Sequence, residues 1–273
     1  MSFSLNWCIS TLGCPEATLE DAAQLAERHG IRNLELRTLE DRVDLPAYFA
    51  ERFGSAQAVT AVAQRHGCRI VALDPSAKLV GLTQAHREEL AAIAPWADQL
   101  GVRYLRVFDG GAPAPELSDE DLAAARDALD WWRAQQQQHG WKVELMLETH
   151  DCLCSLAAIE RLQAALPHPA NILWDAHHTW RKQREDPLRM WPRIKDQVVH
   201  IHFKDSIGKP SARHPFTYVH LGEGEFPLQP FLEMLERDRF AGPVSLEWEK
   251  KWHPYLPDLD AALTVFDAMR APA

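Results

Sequence analysis

Four short stretches each end in a residue that could hold a metal ion or move a proton: VELMLETHD, NILWDAHH, VVHIHFKD and PVSLEWEK. Read as strands, whose side chains alternate between two faces, they place Glu148, Asp175, His202 and Glu247 at a similar height on successive strands. In VVHIHFKD the apolar face is Val199, Ile201 and Phe203, and the polar face is His200, His202 and Lys204. In PVSLEWEK, Val244, Leu246 and Trp248 oppose Ser245, Glu247 and Glu249. Three carboxylates and an imidazole suit one divalent cation, Mn2+ or Mg2+ first, with Co2+ and Zn2+ as alternatives. Without a cation, carboxylates so close would repel and some would have to protonate. Glu249 competes with Glu247 as donor, since it shares the face but lies one pleat further out. His200, deeper on its strand, reads as a hydrogen-bonded support for the donors rather than a donor.

These residues need a scaffold that brings strand ends together. Eight apolar runs alternate with amphipathic helical stretches: NWCIST, IRNLELRT, CRIVALD, VRYLRVFD and the four above. Strands separated by helices pair in parallel through crossovers, and eight such units over 273 residues fit an α/β fold of the (β/α)8 TIM-barrel type, a single domain over 1–273. A doubly wound sheet would show a glycine-rich phosphate turn after an early strand; the turn here, TLGCPEAT, has none. The charged residues lie toward the strands' C-terminal ends, where such barrels place their sites. On earlier strands Leu34 and Leu36 oppose Glu35 and Arg37, and Leu105 and Val107 oppose Arg106 and Phe108. Glu35, Arg37 and Arg106 read equally as site residues or as a lumenal ion-pair network. Thr18 with Asp21 predicts a capping box, Gly30 a helix stop, and Ser118 a second cap.

The bulk numbers limit the partners. Lys and Arg number 29 against 39 Asp and Glu, a net charge of -10, which disfavours nucleic acid and anionic membrane surfaces. No apolar run is long enough to span a bilayer, and the N-terminus lacks a signal-peptide pattern. The five cysteines, Cys8, Cys14, Cys68, Cys152 and Cys154, show no paired zinc or disulfide spacing and fit reduced thiols of a cytoplasmic protein. Trp7, Trp174, Trp180 and Trp252 could line a sugar pocket, with core packing as the default. Exposed tryptophans would point to a homo-oligomer.

ETHD, WDAHH, HIHFKD, LGEGEFP and SLEWE, in this order, resemble the xylose-isomerase-like TIM-barrel superfamily, and within it the sugar phosphate isomerase/epimerase branch that includes ketose 3-epimerases and inosose dehydratases. The likeness spans essentially the whole chain. It implies that Glu148, Asp175, His202 and Glu247 ligate the metal and that Glu148 and Glu247 also serve as acid and base. It implies that His178, three residues after Asp175, binds substrate. His150, Lys204, Asp205, Arg106 and Arg213 are further candidates for substrate contact, with Lys204 and Asp205 alternatively paired to each other, and His220 belongs to the loop wall. One departure stands out. The arginine that the epimerases place six residues after the metal histidine is Gly208 here, and Arg213 lies farther along a longer loop. The expected activity is proton transfer through an enediolate on a sugar, sugar phosphate or cyclitol. Alternatives are an inosose dehydratase-like lyase, an endonuclease IV-like nuclease, and a metal-holding protein without turnover. The nuclease is disfavoured because LELRT and VALDP supply no histidine.

Overall fold

The computed structural model describes residues 4–270. Eight parallel strands form the barrel: β1 Asn6–Ser10, β2 Asn33–Leu36, β3 Arg69–Leu73, β4 Tyr104–Gly110, β5 Glu144–Glu148, β6 Asn171–Asp175, β7 Val198–Phe203 and β8 Pro243–Leu246. Strand β1 pairs with both β2 and β8, and β3 pairs with β4, so the ring closes. Among the described residues ten α-helices accompany it: α1 Leu19–Arg28, α2 Leu45–Arg52, α3 Ala56–Arg65, α4 Gln84–Leu100, α5 Asp119–His139, α6 Leu156–Ala165, α7 Ala176–Gln183, α8 Pro187–Ile194, α9 Leu228–Arg237 and α10 Leu259–Arg270. None of the described helices is long and apolar enough to cross a membrane. The expected caps form: Thr18 and Asp21 make a reciprocal capping box on α1, and Ser118 accepts from the Asp121 N–H on α5.

The alternation does what the pattern required. Leu34, Leu36, Leu105, Val107, Ile201, Phe203, Val244 and Leu246 are buried in the layer between barrel and helices, each such burial being worth roughly 1.5–3 kcal/mol. Ala72, Met146 and Leu173, joined by Tyr104 and Val199, form a separate apolar cluster that floors the lumen. Val199 was expected on the outer face. Between β6 and β7 the register slips, Ile172 facing Val198 and Leu173 facing His200, so Val199 is an extra, bulged residue. A matching slip between β2 and β3 pairs Leu34 with Ile70 and Glu35 with Ala72. Such bulges re-aim the side chains that follow them.

Three short strands lie outside the eightfold pattern. Lys78–Val80 adds a short parallel strand beside the end of β4. Asp205–Ile207 and Thr217–Val219 form an antiparallel hairpin directly after β7. Its base is held by Asp205, whose carboxylate accepts from the backbone N–H groups of Ser206, Gly222, Gly224 and Phe226. This explains LGEGEFP: Gly222 has φ +82, and a Cβ at position 224 would collide with the Asp205 carboxylate. Asp205 therefore pairs with neither Lys204 nor the barrel centre.

Candidate metal centre

The C-terminal ends of β5, β6 and β7, with the residue that follows β8, bring Glu148, Asp175, His202 and Glu247 together. One donor atom of each lies within 4.8 Å of all the others. His202 Nδ1 stands 3.3 Å from Glu247 Oε1 and 3.8 Å from Glu148 Oε1. All four are buried.

Local chain geometry aims each donor. Asp175 caps α7: its Oδ1 accepts the His178 N–H at 2.8 Å, which leaves Oδ2 for the lumen. His202 turns Nε2 to Glu35, 2.9 Å from Oε1, so the tautomer that donates from Nε2 leaves the Nδ1 lone pair facing Glu148 and Glu247. Glu35 also accepts from Ser245 Oγ and lies 2.8 Å from His200 Nε2. A carboxylate behind a histidine fixes its orientation and raises its basicity as a ligand. The sequence placed Glu35 on the lumenal face but could not show that it spans the barrel to β7. His200 takes the supporting position expected of it.

The electrostatics fit a cation. Burial pushes Glu148 above its ordinary value, opposed by Arg106 and reinforced by the charge on Glu247. Burial also raises Asp175 and Glu247, but for both Lys204 and His202 outweigh it, the carboxylates around His202 favouring its charged form until a cation takes Nδ1, and each is left below the usual carboxylate value. Glu148 Oε2 and His202 Nδ1 are buried without a partner in hydrogen-bonding geometry among the described residues. Orphaned buried donors and acceptors are costly, and a divalent ion among three carboxylates and an imidazole would satisfy them.

Around this group the candidate substrate residues divide. Lys204 is fully buried, with Nζ 2.7 Å from Asp175 Oδ2, 2.8 Å from Glu249 Oε1, and in contact with Glu247. Glu249 thus sits further out, as a partner of Lys204 and of the Tyr218 hydroxyl. His178 places Nδ1 3.0 Å from Asp175 Oδ2, and burial, with Lys182 and Lys204 nearby, holds it well below the ordinary histidine value and therefore neutral. Half-buried His150 meets the His178 ring edge-on at 4.8 Å. Arg106 lies 3.4 Å from Glu148 and 3.9 Å from Asp74, stacked over Phe108, inside the lumen. Arg213 does not join them: it is exposed and donates to the Trp252 carbonyl at 3.3 Å. His220 stacks on Trp248. The tryptophans mostly take the packing role. Trp174 is buried against Trp191 and Phe231, Trp7 packs on Phe203 and Phe266, and Trp180 packs on His177 and Phe226, whereas Trp252 is 37% exposed. The cysteines are unpaired, four of them buried, and burial raises all five thiols, Cys68 to about 11 and Cys14 to about 12.

No curated protein sequence matches the chain. Solved structures share its fold. A probable 3-DHS dehydratase, AsbF, involved in petrobactin synthesis in Bacillus anthracis, is 19% identical with a TM-score of 0.75, covering 96% of this chain and 98% of that one. The 3-keto-D-glucoside 4-epimerase YcjR from E. coli is 14% identical, TM-score 0.73, over 98% and 99%. The IOLI protein, solved with a zinc atom, is 18% identical, TM-score 0.73, over 96% and 95%. These are likenesses of fold. The sequence profile of the xylose isomerase-like TIM barrel matches residues 23–271, and with the closed barrel and the donors at its C-terminal mouth the conclusion is that this chain belongs to the xylose isomerase-like TIM-barrel family.

Proposed function

We propose that the chain is a divalent-metal-dependent isomerase or epimerase of a sugar, sugar phosphate or cyclitol, which moves a proton at the carbon beside a carbonyl. The observation that carries this reading is the pair Glu148 and Glu247, on β5 and just past β8, converging on Asp175 and His202 within 4.8 Å. These four would hold the cation, Mn2+ or Mg2+ before Co2+ or Zn2+; bound there, it would polarise the substrate carbonyl, an effect worth several kcal/mol. One glutamate removes the proton from the adjacent C–H, and a glutamate returns a proton. Return to the neighbouring carbon isomerises, and return to the opposite face of the same carbon epimerises. Positioned acid–base groups of this kind contribute about 10²–10⁴-fold. Neutral His178 would donate a hydrogen bond to a substrate oxygen, with His150 at the mouth, while the three N–H groups of the Lys204 ammonium are taken up by Asp175, Glu247 and Glu249 and offset their charge.

Lys204 supports a second reading. A buried ammonium in contact with Glu247 keeps positive charge beside the glutamate, so that a β-hydroxyl protonated by a carboxyl group can depart and the same carbanion collapses to an unsaturated ketone plus water. Among proteins of similar fold, one is described as a dehydratase and another as an epimerase.

Incubating metal-loaded protein in D2O with ketoses, ketose phosphates and inososes tests both. The expected result is deuterium at the carbon next to the carbonyl, reduced at least about 100-fold in Glu148→Gln and Glu247→Gln at verified metal content. Growth of a conjugated-dione absorbance selects the lyase. Exchange that persists undiminished in Glu148→Gln removes its role, and absence of exchange with every substrate rejects both reactions.

A further inference from the structure

A second set of donors converges at the rim, outside the four-residue group. His214 comes from the loop inside the hairpin after β7, and Glu249 and His253 come from the turn after β8. One donor atom of each lies within 4.8 Å of the other two. We propose that His214, Glu249 and His253 form a second divalent-cation site, suited to a borderline ion such as Zn2+.

The local geometry supports it. Glu249 Oε2 and His253 Nε2 are 3.5 Å apart, close to the roughly 3.4 Å separation of two donors bound at about 2.1 Å to one tetrahedral ion. His253 is only 2% exposed, and its Nε2 has no hydrogen-bond partner among the described residues. The site is also braced. Glu249 Oε1 is held by Lys204 Nζ and the Tyr218 hydroxyl, both at 2.8 Å, which turns Oε2 toward His253. The His214 ring stacks flat on Phe216, 4.8 Å between centroids at 4°, and faces His253 at 5.2 Å. Two imidazoles and one carboxylate leave a coordination position open, a donor set characteristic of zinc and shared by iron(II) and cobalt(II). The pairing could not be read along the sequence, since His214 and His253 lie on different loops and meet only because the hairpin folds over the end of β8. Glu249 Oε1 lies 3.9 Å from His178 Nε2, so the two groups are neighbours, but their donor sets share no residue. The proposal stands independently of the reaction assigned above.

The experiment strips the protein with a chelator, reloads it with Zn2+ or Co2+, and counts ions retained through gel filtration. The wild type is expected to keep two ions per chain, His214→Ala/His253→Ala one, and His202→Ala the one at the rim. The cobalt absorption of the rim site should vanish in the double variant and persist in His202→Ala. A double variant that fails to fold by circular dichroism is replaced by His253→Gln. The proposal is overturned if the wild type retains a single ion that His202→Ala removes, or if the double variant retains as many ions as the wild type with an unchanged cobalt spectrum.

Discussion

Glu35 shows how one side chain can set the behaviour of others across the barrel. Burial should raise its pKa, yet His202 and His200 outweigh that and hold it well below the usual carboxylate value. The ionised group accepts from His202 and Ser245 and lies 2.8 Å from His200 Nε2, which hydrogen-bonds the Ser245 hydroxyl. His202 turns Nδ1 toward Glu148 and Glu247, where the proposed cation would sit, because Nε2 is committed here. Glu35→Gln keeps the shape and removes the charge, so metal affinity is expected to fall about 10–100-fold, measured by competition with a fluorescent chelator. Unchanged affinity would show that packing alone orients His202. That these four side chains share the lumenal side was legible in the sequence, since three stand on strands whose alternation declares an inner face and Glu247 continues the alternation one residue past β8. The partnership of Glu35 with His202 was not, because 167 residues separate them.

At the scale of elements, loops are pinned by buried carboxylates. Asp109, at the end of β4, accepts the backbone N–H groups of His150, Asp151 and Leu153 and so anchors the turn that follows β5. Burial raises its pKa to about 7, with the Leu153 and Asp151 N–H groups pulling the other way. A carboxyl raised from about 4 in the unfolded chain to about 7 in the folded one keeps a proton that the unfolded chain has released. Its contribution to stability is therefore complete below about pH 4 and is lost as pH rises toward 7, by up to a few kcal/mol at about 1.4 kcal/mol per unit. Urea unfolding across this range should show a steeper loss with rising pH in the wild type than in Asp109→Asn, which cannot ionise. Equal slopes would place the Asp109 pKa near its ordinary value. Capped helices were legible because capping is local: Thr18 with Asp21 and Ser118 each act within three residues. The bulge at Val199 was not, because a bulge exists only between two strands, and its sole trace in the sequence is an apolar residue where either face would accept one.

For the whole molecule, one consequence follows from where the donors sit. Glu148, Asp175, His202 and Glu247 belong to four neighbouring strand ends of a closed ring, so a cation shared among them ties together elements about a hundred residues apart in the chain. A ligand bound to the folded state alone, at a hundredfold excess over its Kd, stabilises by about 2.7 kcal/mol. For a chain of this size its removal should lower Tm by about 5–10 °C, read by calorimetry before and after chelation and reversed on adding Mn2+ or Zn2+. A Tm indifferent to chelator and metal would count against the centre. The sequence alone determined the repeating strand–helix order, the inner and outer faces of the strands apart from the bulged Val199, and the height of the four donors, because periodicity and capping act over a few residues. Only the tertiary structure decided which donors meet, that Lys204 is buried among carboxylates while Asp205 ties down a glycine turn, and that most of the tryptophans pack in the apolar layer. Those outcomes depend on ring closure, on two register slips and on a hairpin folding over the mouth, all of them contacts between segments remote along the chain.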